Sequence, residues 1–362
     1  MKKLVFTVTN DLNYDQRMLR ICSSLASAGY HVTLVGYKLK DSLPLTPKPF
    51  FQKRFHCFFT LGKLFYIEYN LRLFFYLLFK QHDLICAIDL DTILPCLITS
   101  KIKGTLRVYD AHELFCEMQE IVSRPLIYRA WKKIERYAVP QFKYGYSVND
   151  IISAEFAKMY NASYGVIRNT PVLKPLVIPA KESKYILYQG AVNEGRSFDT
   201  LIPAMKNVNA RLVIAGSGNY IGQAKRLVIE NELHGKVIFT GRLLPEELYN
   251  YSINAWAGVT LFENKGLSNY YSLANRFFDY IHAGIPQLCV NYPVYAEINK
   301  NRPVALLIDD LGIENIAVCL NQLVENDVLY NELQRNCLYL RELLNWQAEE
   351  KNLLTFYNNI FS

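Results

Sequence analysis

The chain has 362 residues, of which 51% are hydrophobic and 20% charged, with 17 Gly and 14 Pro. At about 150 residues per domain that length implies two domains, and the composition excludes disordered, collagen-like and low-complexity architectures. A net charge of +7, from 40 basic and 33 acidic residues, suits an anionic ligand or membrane surface but is too diffuse to argue for nucleic acid.

After Lys2-Lys3 the apolar stretch Leu4-Val5-Phe6 meets polar Thr9-Asn10-Asp11 too soon for a secretory leader. The most hydrophobic run, Leu73 to Phe79, lies between Arg72 and Lys80, far short of the roughly 20 residues a bilayer span needs. Eight Cys are scattered without a CxxC pair, in strings such as Leu84-Ile85-Cys86-Ala87-Ile88. They read as small buried hydrophobes in a reducing cytoplasm, neither a disulfide framework nor a zinc site.

Leu4–Val8 is a predicted strand, and Asp15–Ala28 carries Met18, Leu19, Cys22, Leu25 and Ala26 at helical spacing until Gly29 stops it. His31–Val35, Leu84–Ile88, Leu106–Tyr109, Gly145–Val148 and Tyr164–Ile167 follow as strands. Helices such as Asp91–Lys101 and Ile127–Tyr137 lie between them. Residues 48–80 set Lys48, Lys53, Arg54, Lys63, Arg72 and Lys80 against the single acid Glu68, interleaved with nine Phe. Leu64, Ile67, Leu71, Phe74 and Leu78 form one helical face, expected to pack on the sheet; the surplus aromatics with basic neighbours fit anionic lipid.

Residues 169–184 hold three prolines and no periodicity, which marks a domain boundary. The alternation restarts with strands Tyr185–Gln189, Arg211–Ala215, Val237–Thr240, Gly258–Leu261 and Gln287–Val290. The helices between include Phe198–Met205, Ile221–Asn231, Pro245–Tyr251 and Leu273–Ala283. Asn326–Phe361 reads as helix with a break near Asn345-Trp346. The expected fold is α/β, two Rossmann-like doubly wound domains, 1–170 and 171–345, with a last helix at about 346–362 packing back on the first. They would face a central cleft at the carboxyl ends of both sheets, where ligands of such folds bind.

Three strands of the second half run into glycine loops: Gly190 to Arg196, Gly216-Ser217-Gly218 and Gly241-Arg242. Glycine lets backbone approach a phosphate, the following helix N-terminus favours negative charge, and arginine supplies a forked donor. Ordinary βα turns also use glycine, yet three on successive strands with Arg196 and Arg242 tilt toward a nucleoside diphosphate. No Gly-Lys-Ser/Thr follows, so none is a P-loop. Further on, Gly266 to Pro286 places Asp279 four residues after Asn275, on the same face of a helix. A carboxylate there can accept both hydroxyls of a ribose; a capped amphipathic helix with a solvated aspartate would read the same way.

In the first half, Thr9 to Arg17 follows the first strand, where Asn10, Asp15 or Arg17 could touch an acceptor or phosphate. The alternative is that Asp15 caps the helix and Arg17 is solvated. Val108-Tyr109-Asp110-Ala111-His112-Glu113 ends another strand, with a histidine beside two carboxylates. Asp89-Leu90-Asp91 is the one Asp-x-Asp after a strand. It fits a helix cap, with Asp91 opening the next helix, and no metal or other cofactor is expected.

These residues resemble the GT-B glycosyltransferases, specifically the retaining family-4 type, over most of the chain. Bacterial members carry Pro-Asn-Lys-Leu-Phe-Glu-Tyr-Met-Ala-Ala-Gly-Lys-Pro, matched by Ala274 to Pro286. The resemblance extends to Gly190–Arg196, Gly216–Gly218, Gly241-Arg242, Asn169-Thr170-Pro171 and Asp110 to Glu113. It implies that Asp279 binds the nucleotide ribose, Arg196 the diphosphate, and His112, beside Asp110, the donor sugar. Three departures stand out: Asp279 replaces glutamate, Tyr271 occupies the position of a paired glutamate, and a lysine a few residues after the loop arginine is missing. The first domain matches more loosely and lacks a glycine-rich loop after its first strand.

The resemblance implies transfer of a sugar from a nucleotide-sugar donor to a glycan or lipid-linked acceptor, with retention of configuration, in cell-surface polysaccharide biosynthesis. The first domain would take the acceptor and the second the donor. The protein would be cytoplasmic, peripheral on the inner face of the cytoplasmic membrane. Alternatives are a nucleotide-sugar epimerase on the same fold and a catalytically silent nucleotide-sugar-binding subunit, the latter suggested by Tyr271.

Overall fold

A computed structural model describes residues 1–40, 42–179 and 183–362 of the chain. They form two units, Met1–Asn169 with Glu349–Ser362, and Thr170–Ala348. In the first, β1 (Lys3–Thr7), β2 (His31–Tyr37), β3 (Phe51–Phe55), β4 (Leu84–Ile88), β5 (Leu106–Ala111), β6 (Tyr144–Ser147) and β7 (Gly165–Val166) make one sheet. Its order is β3-β2-β1-β4-β5-β6-β7, with parallel pairing throughout. All of β4 and four of the five residues of β1 are buried, as strands covered on both faces must be. The order reverses between β1 and β4.

The second unit repeats the plan with β8 (Tyr185–Gln189), β9 (Arg211–Ala215), β10 (Val237–Gly241), β11 (Ala257–Thr260), β12 (Gln287–Val290) and β13 (Ala305–Ile308). Its parallel order is β10-β9-β8-β11-β12-β13, reversing between β8 and β11. Two strands lie outside the sequence expectation, and both are edges. β3 reads Phe-Gln-Lys-Arg-Phe, polar enough to escape a hydrophobic search because an edge strand tolerates charge. β13 is the four residues Ala-Leu-Leu-Ile after Val304, a short apolar run that the sequence reading passed over.

The helix Gly62–Phe79 corrects the sequence reading. Its buried residues are Phe65, Tyr69, Leu73 and Leu77, while Leu64, Ile67 and Leu71 of the expected core face are exposed. The helix is apolar almost all round, so pattern alone cannot choose a face. Aromatic packing does: the rings of Phe65 and Tyr37 lie 4.7 Å apart, and the Tyr69 hydroxyl donates to the Val8 carbonyl at 2.5 Å. Arg54 likewise leaves the exposed basic set, because its buried guanidinium pairs with buried Asp11 at 3.2 Å.

The boundary segment after Asn169 is tied down within the second unit. Trp346 N–H donates to Pro171 O at 2.8 Å, and Gln347 exchanges two hydrogen bonds with the Leu173 backbone. The break between the helices Asp327–Arg341 and Trp346–Phe361 falls at buried Asn345, whose amide donates to Arg341 O and Glu342 O and accepts from Ala348 N–H. The last helix packs in the first unit, with the Tyr357 ring 6.0 Å from Phe6 and Tyr30 Oη donating to Asn358. Among the described residues every Cys is a free thiol, and no helix is long and apolar enough to cross a membrane.

Candidate functional site

Parallel sheets expose ligand crevices where strand order reverses, at the carboxyl ends of the strands. In the first unit that point lies between β1, which runs into Thr9-Asn10, and β4, which runs into Asp89. Asp89 adopts φ 53° and ψ −178°, a conformation that costs a non-glycine residue of order 1–3 kcal/mol. Its carboxylate accepts from the His112 backbone N–H at 2.9 Å and approaches His112 Nδ1 at 3.3 Å. On the other side of the ring, Asp110 Oδ2 lies 3.3 Å from Nε2, an ion-pair contact without hydrogen-bond alignment. His112 thus stands between two carboxylates with its side chain 23% exposed, open enough to reach a ligand.

Asp110 is fully buried at the end of β5, and Arg17 accounts for it. The guanidinium binds both its oxygens, Nη2 at 2.9 Å and Nε at 3.3 Å, and Nη1 donates to Ile167 O at 2.9 Å. Burial would raise the Asp110 carboxyl, but Arg17 and then His112 hold it below the ordinary range. Burial also works against charge on His112, and there Asp89 and Asp110 win, pushing it up to about 9. Burial lifts the Asp89 carboxyl to about 7 against the pull of His112. Between those values the ring and Asp89 are both charged.

Three expectations change here. Arg17 is neither solvated nor open to an acceptor; it is buried and bound to Asp110. Asp15 does cap its helix, accepting from Met18 N–H at 3.1 Å, and also accepts from Asn10 Nδ2 at 3.1 Å, which leaves exposed Asn10 as the accessible member of that trio. Asp91 caps nothing: the next helix starts at Ile93 behind Thr92, and the Asp91 carboxylate accepts the Thr9 hydroxyl instead. Burial raises it to about 6.

In the second unit the reversal lies between β8 and β11, and Gly190 to Arg196 leaves β8 there. This loop and the one after β9 are laced together. Gly190 N–H donates to Ala215 O, Val192 N–H to Ser217 O and Tyr220 N–H to Val192 O, all within 3.0 Å. A Cβ at Gly216 would sit 1.8 Å from the Gly190 carbonyl oxygen, and one at Gly218 2.3 Å from that of Val192. Both glycines are therefore required by loop-on-loop packing, whatever else they meet. Arg196 is half-buried, its guanidinium 4.5 Å from the Phe262 ring and donating to Asn269 at 2.9 Å. Arg242 is exposed after β10, at the sheet edge two strands from β8.

The helix Asn275–Ala283 presents exposed Asn275 and half-buried Asp279 one turn apart. Asp279 is aimed by a residue the sequence reading passed over, the last of β8. Buried Gln189 donates to Asp279 Oδ2 at 2.7 Å while accepting from Ser252 Oγ at 2.8 Å. Arg276, also passed over, is buried with its guanidinium 4.6 Å from the rings of Tyr188 and Phe262, and donates to Gln189 O at 3.2 Å. It braces the start of the first glycine loop. The available signals were position alone: Gln189 and Asp89 each sit at a strand end facing a reversal, and Arg276 stands where the motif has lysine. Tyr271 follows the short helix Leu267–Tyr270, half-buried with its ring 5.2 Å from Tyr270.

A family described as glycosyl transferases group 1 matches residues 176–338. No curated protein matches the chain in sequence. Among solved structures, sucrose-phosphate synthase from Thermosynechococcus elongatus is similar with TM-score 0.83 at 15% identity, over 100% of this chain and 99% of that one. Anabaena HepE in complex with UDP and glucose gives TM-score 0.77 at 11% identity over 99% and 100%. WaaG, a glycosyltransferase involved in lipopolysaccharide biosynthesis, gives 0.72 at 17% over 97% and 98%. At these identities the likeness establishes the fold, that of the GT-B glycosyltransferases.

Two outcomes follow from the geometry. Gly216→Ala forces the two loops apart and should cost about 1–3 kcal/mol, read as a lower urea midpoint for the second unit; an unchanged midpoint would contradict the packing described. Asp89→Asn removes one of the two carboxylates that hold the charge on His112, so NMR titration of the ring should find its pKa lowered from about 9 toward the ordinary value near 6.5. The sign for stability follows: with a raised folded value, the His112 contribution is intact below roughly 6.5 and lost as pH rises through about 9. A ring that titrates identically in the variant would remove Asp89 from this role.

Proposed function

With a glycosyl transferases group 1 domain over residues 176–338, the chain is a glycosyltransferase, and we propose that it moves a sugar from a nucleoside diphosphate to a glycan or lipid-linked acceptor in cell-surface polysaccharide biosynthesis. The observation that carries this reading is the pair of groups at the second unit's strand reversal. Asp279, aimed by Gln189, suits a ribose diol, and half-buried Arg196 beside the Gly190 loop suits a diphosphate. The bound UDP and glucose of HepE, and the lipopolysaccharide role of WaaG, support a nucleotide-sugar donor and a cell-surface product.

In this reading the second unit holds the donor and the first the acceptor. His112, cationic at neutral pH, donates a hydrogen bond to the donor sugar or its leaving phosphate, and buried Asp110 and half-buried Asp89 orient it. The bond from the anomeric carbon to the phosphate oxygen breaks as negative charge gathers on the leaving diphosphate. Arg196, loop amides and the N-terminus of the helix Asn275–Ala283 stabilise that charge. The acceptor hydroxyl attacks the face the diphosphate leaves and passes its proton to a departing phosphate oxygen, so configuration is retained. Asp110 and Asp89 are both engaged with His112, which leaves neither placed as the nucleophile of a double displacement.

Incubation with a panel of nucleotide sugars tests the reading: slow donor hydrolysis supports transfer, whereas a 2-epimer as sole product would replace it with epimerisation. Asp279→Asn keeps shape but loses a charged acceptor, and should weaken nucleoside diphosphate binding by roughly 1.5–3 kcal/mol in calorimetry. Unchanged affinity would sink the ribose assignment. Arg196→Ala should cost a similar amount, roughly 1.5–3 kcal/mol, for the diphosphate and almost nothing for the bare nucleoside. Equal weakening of both ligands would mean that Arg196 only shapes its loop.

A further inference from the structure

We propose that the first unit docks on a bilayer containing anionic lipid through the outer faces of three neighbouring helices, Gly62–Phe79, Ile93–Lys103 and Pro125–Ala138. The proposal deepens the proposed function and rests on its lipid-linked acceptor. The helices adjoin in that order along one layer. The ring of Tyr66 lies 5.9 Å from Trp131, and Lys101 Nζ lies 6.0 Å from the Tyr137 ring.

A helix on the surface of a water-soluble domain ordinarily turns a polar face outward. Gly62–Phe79 does not. With Phe65, Tyr69, Leu73 and Leu77 against the sheet, it still presents Leu64, Ile67, Leu71 and Phe75 on one outward stripe, each more than half exposed, with Phe79 82% exposed at its end. The preceding loop adds Phe58, 83% exposed, and that loop is anchored. Glu68 accepts from the backbone N–H of Phe58 and Phe59 at 2.9 and 3.0 Å, and binds Arg72 at 2.9 Å. Ile98 and Ile102 continue the apolar surface onto the second helix. Contiguous exposed apolar surface of this kind marks an interaction site.

Charge selects the partner. The three helices carry eight bases and two acids, and both acids are already paired, Glu68 with Arg72 and Glu135 with Lys132 at 2.6 Å. Arg129, Lys133 and Arg136 lie exposed along one face of the third helix. An apolar stripe flanked by cations matches acyl chains beneath anionic headgroups. A second copy would set these bases against themselves, which like-charge repulsion opposes.

The test is flotation of the full chain with vesicles of phosphatidylcholine alone and of phosphatidylcholine with phosphatidylglycerol. The mixed vesicles should carry the protein up, salt should weaken but not abolish the association, and neutral vesicles should carry little. Leu71→Glu with Phe75→Glu should reduce partition about tenfold or more, as should, independently, Arg129→Gln with Lys133→Gln and Arg136→Gln. All five positions are exposed, so circular dichroism and acceptor-free donor hydrolysis should match wild type. Flotation of both variants at the wild-type level overturns the proposal. So does a wild type that hydrolyses donor yet floats with neither vesicle, which leaves the transferase reading standing. A wild-type dimer dispersed by Leu71→Glu overturns it in favour of self-association.

Discussion

Where neighbouring parallel strands send their chains to opposite faces of a sheet, no connection covers the gap between their carboxyl ends. Each unit contains one such gap, and its chemically interesting side chains collect there. In the first, β1 and β4 deliver Thr9, Asp89 and Asp91, and β5 next door delivers Asp110 and His112. In the second, β8 and β11 deliver the Gly190 loop and Phe262, joined where Glu263 N–H donates to Gly195 O at 3.0 Å. Moving either reversal by one strand would disperse these groups along the sheet.

The two gaps handle buried charge differently. Asp110 is inaccessible to water, and an isolated carboxylate there would be prohibitively costly. Arg17 neutralises it through a bidentate contact, and His112 adds a second cation, so the histidine keeps a positive charge well into the alkaline range. Among the described residues Arg276 in the second unit has no acid paired with it; the faces of Tyr188 and Phe262 and the Gln189 carbonyl take that role. One arrangement fixes the ionisation state of a partly exposed ring. The other stiffens a loop.

Much of this was legible in the chain. Strands buried on both faces are continuous apolar runs, so β1, β4, β8 and β9 stand out, and the segment Ala274 to Pro286 carries a family pattern on a single helix. The edge β3 was not, because an edge strand need not be apolar. Arg17 and Asp110 are 93 residues apart, and nothing local in either sequence neighbourhood names the other. That Gly216 must be glycine for packing, because the Gly190 carbonyl excludes any side chain there, was not legible either.

The sequence alone determined the repeated β-α-β alternation, the division near Asn169 and the places of His112 just after a strand, Arg196 just before a helix and Asp279 one turn into another, because periodicity and turn chemistry are local properties of the chain. Tertiary structure decided which face of Gly62–Phe79 is buried, that Asp89 rather than solvent holds His112, and that Gln189 aims Asp279. Those outcomes depend on which elements meet. A helix apolar on every side has no preferred face until a sheet with a matching aromatic surface selects one, and a buried charge has no partner until the fold brings a distant one within reach.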